Sequence, residues 1–257
     1  MANQRVVDLF DEFIELTRDF IVRHGLRYED YAAITQYLIR VGEAGEWPLW
    51  TDTFLEATVD TNSYGEGPWT PSAIEGPYYK PGAPVLTERP YTLPMRPDEA
   101  GDKLLFKATV RSPAGEPLAT ATVDVWHATD EGLYSFIDAG VPEDYILRAR
   151  LPVDQDGAVE FRSIRPAPYE IPKNGPTGDL LNSALGRHTW RPAHLHFLVT
   201  AEGYKPLVTQ LYFEGDPYID SDCAEGVKPG LIIPLTKTDI DGDSWTLGEF
   251  KFVLQPE

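Results

Sequence analysis

The chain has 257 residues, of which 42% are hydrophobic and 12% aromatic, which is enough for a substantial buried core. Its 41 acidic and 22 basic residues give a formal net charge of -19, which repels nucleic-acid phosphates and anionic membrane surfaces and so excludes both as partners. One cysteine cannot form an internal disulfide, and the acidic N terminus lacks the basic start and apolar run of a signal peptide. We therefore expect a cytoplasmic protein.

The first third of the chain has the spacing of amphipathic helices. Apolar residues recur every three or four positions over residues 6–21, and again over 31–39 after Gly25. A third helix is predicted over residues 47–59. From residue 61 to 84 the chain is dense in glycine and proline, which favours a linker or a functional loop over regular structure.

Beyond about residue 100 the pattern is typical of strands and tight turns. Strand-length apolar runs, bounded by hairpin-type turns, cover residues 103–110, 121–128, 158–164, 194–200, 207–213 and 245–254. This spacing predicts an antiparallel β-sandwich, and the lack of long helices between the strands disfavours a parallel α/β sheet. We place a helical and linker segment at residues 1–70 and a β-sandwich domain at residues 71–257.

The stretch RPAHLHF places His194 and His196 two residues apart on a predicted strand. Both imidazoles then point to one face, as two ligands of one metal require, although two packing histidines would give the same pattern. The other histidines have simpler interpretations: His24 lies at a helix end, His127 on a strand beside a tryptophan, and His188 in a polar loop.

Two tyrosines occupy loop or turn positions, Tyr134 in EGLYSFID and Tyr169 in RPAPYEIP. Each could be a packing residue with a hydrogen-bonded hydroxyl. A phenol is a poor metal ligand unless a strongly charged hard cation lowers its pKa, and ferric iron is such a cation. Fe(III) with two phenolates and two neutral imidazoles carries one positive charge, which a bound hydroxide cancels, and a neutral site can be buried at low cost.

Four segments together carry a family resemblance: DVWHATDEGLYSFID, RPAPYEIP, GPTGDLLNSALGRHTWRPAHLHF and VTQLYFEGD. In this order they resemble the intradiol ring-cleaving catechol dioxygenases, and the resemblance extends over nearly the whole chain. The segments MANQRVVDLFDEF, VGEAGEWPLW and SAIEGPYYKPGAP are most similar to the chlorocatechol branch of that family.

The resemblance implies a metal site and two catalytic neighbours. Tyr134, Tyr169, His194 and His196 fall on the family's ligands for one non-haem Fe(III) per chain. It also places Arg191 beside the substrate ring and Gln210 opposite that ring. The fold implied is a helical dimerisation segment built on a β-sandwich, with the iron between the sheets and the interdomain loop.

The resemblance also suggests the walls of the substrate pocket, although each of these residues could equally serve packing or turn formation. The wall positions are Leu49, Asp52, Thr53, Ile74, Gly76, Pro77, Tyr78 and Cys223.

The activity implied is cleavage of a catechol or chlorocatechol by O2 to a cis,cis-muconate. Charge balance then makes Tyr169 a general base as well as a ligand, because a departing phenolate can take one of the two catechol protons. Family members form homodimers through the N-terminal helices, some with a phospholipid at the interface, but the sequence reveals no lipid site. The alternatives are a catechol or hydroxyquinol 1,2-dioxygenase, a non-enzymatic β-sandwich binding module, and a zinc hydrolase built on the histidine pair.

Overall fold

The computed structural model describes residues 3–142 and 144–257. It divides into two compact units, Met1–Glu46 and Trp47–Glu257. The sequence analysis places residues 47–70 with the N-terminal helices. In the structure these residues belong to the second unit, which contains the strands. Across the described residues no helix is both long enough and apolar enough to span a bilayer.

The first unit contains the two helices that the periodicity predicts, α1 (Gln4–His24) and α2 (Tyr28–Glu43). Helix α1 ends at Gly25, whose φ of 62° is left-handed and closes the helix through hydrogen bonds back to its last turn. Its apolar stripe is exposed, with Phe10 61% and Phe13 63% accessible. Such a stripe requires a covering surface.

The prediction of a single third helix is wrong. Residues 47–59 instead form the end-to-end helices α3 (Trp47–Phe54) and α4 (Glu56–Tyr64), interrupted at Leu55, where φ is -126°. Within α3 the hydroxyls of Thr51 and Thr53 donate to carbonyls one turn earlier, a bond that bends helices. The apolar spacing continues through the break, which explains why periodicity alone did not reveal it.

Strands make up most of the second unit. In chain order they are β1 (Tyr91–Thr92), β2 (Lys103–Arg111), β3 (Thr122–Trp126), β4 (Arg148–Pro152), β5 (Ala158–Ile164), β6 (Tyr169–Glu170), β7 (Trp190–Arg191), β8 (His194–Thr200), β9 (Leu207–Phe213), β10 (Ile232–Ile233), β11 (Leu235–Ile240) and β12 (Asp243–Val253). Between β6 and β7 lie the short helix α5 (Pro176–Asp179) and a π-helical turn (Leu180–Ala184), and a 3₁₀ turn (Ile219–Ser221) follows β9.

The strands form two five-stranded sheets, with orders β1-β5-β2-β12-β11 and β10-β9-β8-β3-β4, and β6 pairs with β7. The predicted sandwich is confirmed. Most neighbours are antiparallel, as expected, but β1–β5, β2–β12 and β9–β10 are parallel, so both large sheets are mixed. Hairpin-type turns at strand ends do not reveal these long-range pairings.

The main core lies between the two sheets. Phe197 of β8 packs on Phe106 of β2 with ring centroids 5.3 Å apart, and Leu195 is fully buried in the same cluster. Because side chains alternate along a strand, His194 and His196 point to the opposite, outer face of the second sheet. A smaller aromatic cluster covers that face and contains Trp126, Tyr134 and Tyr169.

Candidate active site

The two histidines lie in register with functional neighbours on adjacent strands. His196 pairs with Trp126 of β3 on one side and with Gln210 of β9 on the other, and His194 pairs with Tyr212. Trp126 stacks on His196 at 4.8 Å between ring centroids and 7° between planes. The sheet therefore fixes both imidazoles before any ligand binds.

The imidazoles share the geometry of two ligands to one ion. Their Nε2 atoms are 3.0 Å apart, close to the separation of two nitrogens each about 2.1 Å from one metal at right angles. His194 Nδ1 donates to the carbonyl of Pro192 at 2.6 Å, which leaves the Nε2 lone pair free. Burial lowers the pKa of His194 to about 3 and that of His196 well below its ordinary value, so both rings are neutral.

Two phenols complete the cluster. Tyr134 and Tyr169 are buried, and their rings meet edge to face at 5.4 Å. The Tyr169 ring lies 5.6 Å from that of His194, and the Tyr134 ring 6.2 Å from that of His196. The Tyr134 hydroxyl makes no hydrogen bond of ordinary length among the described residues, and the neighbouring phenol of Tyr169 is the hydroxyl group that acts on it. A buried hydroxyl in this state requires an explanation, and a bound cation provides one.

Gly132 allows the two tyrosines to approach each other. Its φ is 81°, and a Cβ at this position would lie 2.7 Å from the Cβ of Tyr169. Thr129 shapes the same turn, because its hydroxyl accepts hydrogen bonds from the N–H groups of Glu131 and Leu133. The glycine of the EGLY segment thus has a structural role that the sequence did not reveal.

We expect Gly132→Ala to lower the free energy of unfolding by about 1–3 kcal/mol, because the methyl group adds a clash to a strained φ. Gly140→Ala is the matched control, since Gly140 has a similar φ of 94° but no atom within 4 Å of the place where a methyl group would lie. Urea denaturation of both variants measures the difference. Equal destabilisation would show that the contact with Tyr169 is unimportant.

The donor set fits ferric iron. Within residues 3–142 and 144–257, no group of three or more His, Cys, Asp or Glu could hold a metal. The phenols of Tyr134 and Tyr169 lie beside the histidine pair instead. Zinc prefers histidine, cysteine and carboxylate, whereas phenolates require a harder and more highly charged ion. This argues against the zinc hydrolase interpretation.

Arg191 borders the cluster in a buried network. Its Nε and Nη2 donate to the two carboxylate oxygens of Asp222, each at 2.9 Å, and Nη2 also donates to Gln210 Oε1 at 2.9 Å. Its Nη1 lies 3.4 Å from His194 Nε2. Burial opposes the charge of Arg191, but Asp222 raises its pKa well above the ordinary value. Arg191 therefore both forms a salt bridge and supplies a fixed positive charge beside the site.

Gln210 is fully engaged in positioning its neighbours. Its Oε1 accepts from the hydroxyl of Tyr212 at 2.6 Å as well as from Arg191, and its Nε2 donates to the carbonyl of Ile74 at 2.6 Å. The side chain thus links the arginine to the pocket wall. Sequence reasoning missed Asp222 and Tyr212, although the first adjoins Cys223 and the second shares a strand face with Gln210.

A small cavity lies against the cluster and is lined by Tyr169, Arg191 and His196. Its remaining lining includes nearly all the predicted wall positions, namely Leu49, Asp52, Thr53, Ile74, Gly76, Pro77 and Tyr78. The exception is Cys223. Its N–H donates to the carbonyl of Trp190 at 3.2 Å and its side chain packs against the aromatic cluster, so its place in the substrate pocket stays a prediction.

The remaining histidines lie outside the cluster, as expected. His24 packs on Phe20 in α1 at 4.5 Å between rings. His127 Nε2 is 2.7 Å from the hydroxyl of Ser163, and His188 Nε2 is 2.9 Å from that of Ser221. Each has a local packing or hydrogen-bonding role.

Comparison with known proteins extends these observations over the whole chain. A family model for dioxygenases matches residues 74–256, and one for the catechol dioxygenase N terminus matches residues 3–65. A chlorocatechol 1,2-dioxygenase of Rhodococcus opacus is 59% identical over 255 residues, covering 99% of both chains. The crystal structure of 3-chlorocatechol 1,2-dioxygenase from Rhodococcus opacus 1CP superposes with a TM-score of 0.92 at 42% identity, covering 100% of each chain.

A second solved structure, chlorocatechol 1,2-dioxygenase from Pseudomonas putida, has a TM-score of 0.89 at 39% identity and covers 99% of this chain and 100% of its own. Both family models, the full-length relative and the shared fold agree with the clustered tyrosines and histidines. The chain therefore belongs to the intradiol dioxygenase family.

Proposed function

We propose that this protein is an Fe(III)-dependent chlorocatechol 1,2-dioxygenase, which cleaves chlorocatechols with O2 to chloro-cis,cis-muconates in the cytoplasm. The observation that carries the proposal is the meeting of two neutral imidazoles and two buried phenols in one cluster, of which Tyr169 and His196 line a cavity. The full-length similarity to chlorocatechol 1,2-dioxygenases supports the substrate class.

Different residues of the site have different roles in the proposed reaction. Tyr134, Tyr169, His194 and His196 would hold one Fe(III), which would withdraw electron density from a catechol and so make the ring reactive towards O2. The phenolic oxygen of Tyr169 accepts a proton from a catechol hydroxyl. Arg191 stabilises negative charge that develops on the ring, because its guanidinium is fixed in place by Asp222 before the reaction begins.

The cavity walls favour a substituted ring. Leu49, Ile74 and Pro77 are apolar and line the cavity beside Arg191, so they suit a chlorine better than a hydroxyl group. A hydroxyl that finds no partner on an apolar wall costs binding energy. Asp52 lines the same cavity, and burial raises the pKa of its carboxyl.

Oxygen uptake with catechol, 3-chlorocatechol, 4-chlorocatechol and hydroxyquinol tests this proposal. We expect kcat/KM for at least one chlorocatechol to exceed that for hydroxyquinol by about 10-fold or more, the effect of one small group in an apolar pocket. A preference for hydroxyquinol or unsubstituted catechol would assign the protein to another branch of the family. No uptake with any substrate by the iron-loaded protein would refute dioxygenase activity.

We further propose that the exposed apolar stripe of α1 forms a homodimer, with a phospholipid at the interface. A continuous apolar stripe of this length is unfavourable on a helix face that is exposed to water. Light scattering during size-exclusion chromatography measures the mass, and Phe13→Asp should convert a dimer into a monomer. Mass spectrometry of an organic extract detects the lipid.

A further inference from the structure

Arg148 is a second arginine buried beside the site, and the proposed chemistry does not use it. It begins β4, is 1% exposed, and donates through Nε to the hydroxyl of Ser135 at 2.8 Å. Its Nη2 donates to the carbonyl of Ser135 at 3.1 Å, and its Nη1 to the carbonyl of Tyr78 at 2.7 Å. All three acceptors are uncharged.

Arg148 forms no ion pair with a described carboxylate, whereas Arg191 is paired with Asp222. Burying an unpaired guanidinium is strongly unfavourable unless an anion lies near it. The guanidinium carbon of Arg148 lies 5.7 Å from the centre of the Tyr134 ring, over its face. The face of an aromatic ring attracts a cation, so the Tyr134 ring partly compensates this buried charge.

The position of Arg148 in the sheet also connects it to the proposed metal site. It pairs in register with Trp126, which pairs with His196, so one row crosses from the edge strand β4 to the metal site. Ser135 directly follows Tyr134 in the chain. The two hydrogen bonds to Ser135 thus hold the turn that presents Tyr134.

The third hydrogen bond of Arg148 holds the pocket wall. The wall segment, residues 74–78, is fixed at its start by Gln210 through the Ile74 carbonyl, and in its middle by Glu56, whose Oε1 accepts from the N–H of Glu75 at 2.9 Å. Arg148 fixes its end through the carbonyl of Tyr78. The ring of Tyr78 in turn packs on Tyr134 at 4.8 Å.

We propose that Arg148 is a positioning residue that holds Tyr134 and the wall segment in a fixed relation and places a positive charge over the face of the Tyr134 ring. This role rests on the proposed iron site. It makes the environment of one ligand and the shape of the substrate pocket depend on the same side chain. A change at Arg148 therefore affects both the colour of the iron-loaded protein and its discrimination between substrates.

The test compares Arg148→Met, Arg148→Lys and the control Arg150→Met. Arg150 lies two residues further along β4, on the same face, and pairs with Asp124 at 2.8 Å, so its loss also removes a cation from that face. Each variant is loaded with iron, and its visible spectrum, iron content, KM and kcat are measured with catechol and 3-chlorocatechol.

In Arg148→Met we expect the visible charge-transfer band to move to longer wavelength, because losing a positive charge over the ring raises the energy of the electrons that Tyr134 donates to the iron. We also expect the ratio of kcat/KM for 3-chlorocatechol to that for catechol to change by about 3-fold or more, since the wall segment loses one of its three anchors. Arg148→Lys should keep the wild-type band but show the altered ratio, because lysine keeps the charge and loses the planar fork. Arg150→Met should leave both unchanged.

A folded, iron-loaded Arg148→Met with the wild-type band and substrate ratio overturns the proposal. If Arg148→Met fails to fold, Arg148→Lys decides it: a wild-type substrate ratio in that variant overturns the positioning role. A wild-type protein that binds no iron and shows no visible band instead refutes the proposed function.

Discussion

Tyr169→Phe is expected to keep part of its iron and yet lose about 10²- to 10⁴-fold in turnover per bound iron, the usual effect of removing a general base. We expect iron to be retained because Tyr134, His194 and His196 would still surround the ion. Activity falls further than the iron content does, because the variant lacks the oxygen that receives a catechol proton. Iron analysis and steady-state oxygen uptake on the same preparation give both quantities.

The structure supplies a reason for this double role. Burial raises the pKa of Tyr169, while Arg191, its register partner across β6 and β7, acts to lower it. Burial is the larger influence, so the pKa of the free phenol is raised and the phenol holds its proton. A ligand that leaves the metal and accepts a catechol proton needs this property.

Tyr134→Phe is the matched control, because Tyr134 is expected to stay on the iron throughout. Spectra of both variants are compared before and after anaerobic addition of catechol. Tyr134→Phe should change the colour of the resting protein and of the substrate complex, and Tyr169→Phe mainly that of the resting protein. A wild-type turnover per iron in Tyr169→Phe would disprove the general-base role.

Arg191→Ala should lose about 10²- to 10³-fold in turnover, as expected for one fixed charge aimed at the reacting group. It should also be unstable, because Asp222 would remain buried without its partner. Breaking a buried pair in this way costs about 3–5 kcal/mol. The two effects are separable.

The double variant Arg191→Met with Asp222→Asn removes both charges and is the control. We expect it to recover much of the lost free energy of unfolding but none of the lost turnover. Urea denaturation and oxygen uptake measure the two outcomes. If turnover returned along with stability, Arg191 would act only as a salt-bridge partner in the fold.

The sequence predicted the parts of this molecule that depend on local pattern. Strands β5, β8 and β9 begin and end where the apolar runs do, because each is a buried strand bounded by turns. The two-residue spacing of His194 and His196 correctly placed both imidazoles on one face. The family motifs led to Tyr134 and Tyr169, which the structure brings to the same cluster.

The features that the sequence missed depend on contacts between distant segments. Strand β4 reads RARLP and is an edge strand, so it lacks the apolar run of a central strand and was not predicted. Its Arg148 consequently went unnoticed. Asp222 was missed for the same reason, because its only signal is an arginine 31 residues away in the chain.

Iron analysis combined with visible spectroscopy of the purified protein tests the central claim most directly. Two phenolate ligands on ferric iron absorb visible light, so the account predicts one iron per chain and a red-brown colour, both abolished in His194→Ala and His196→Ala. A colourless, active protein that contains zinc and no iron would contradict it.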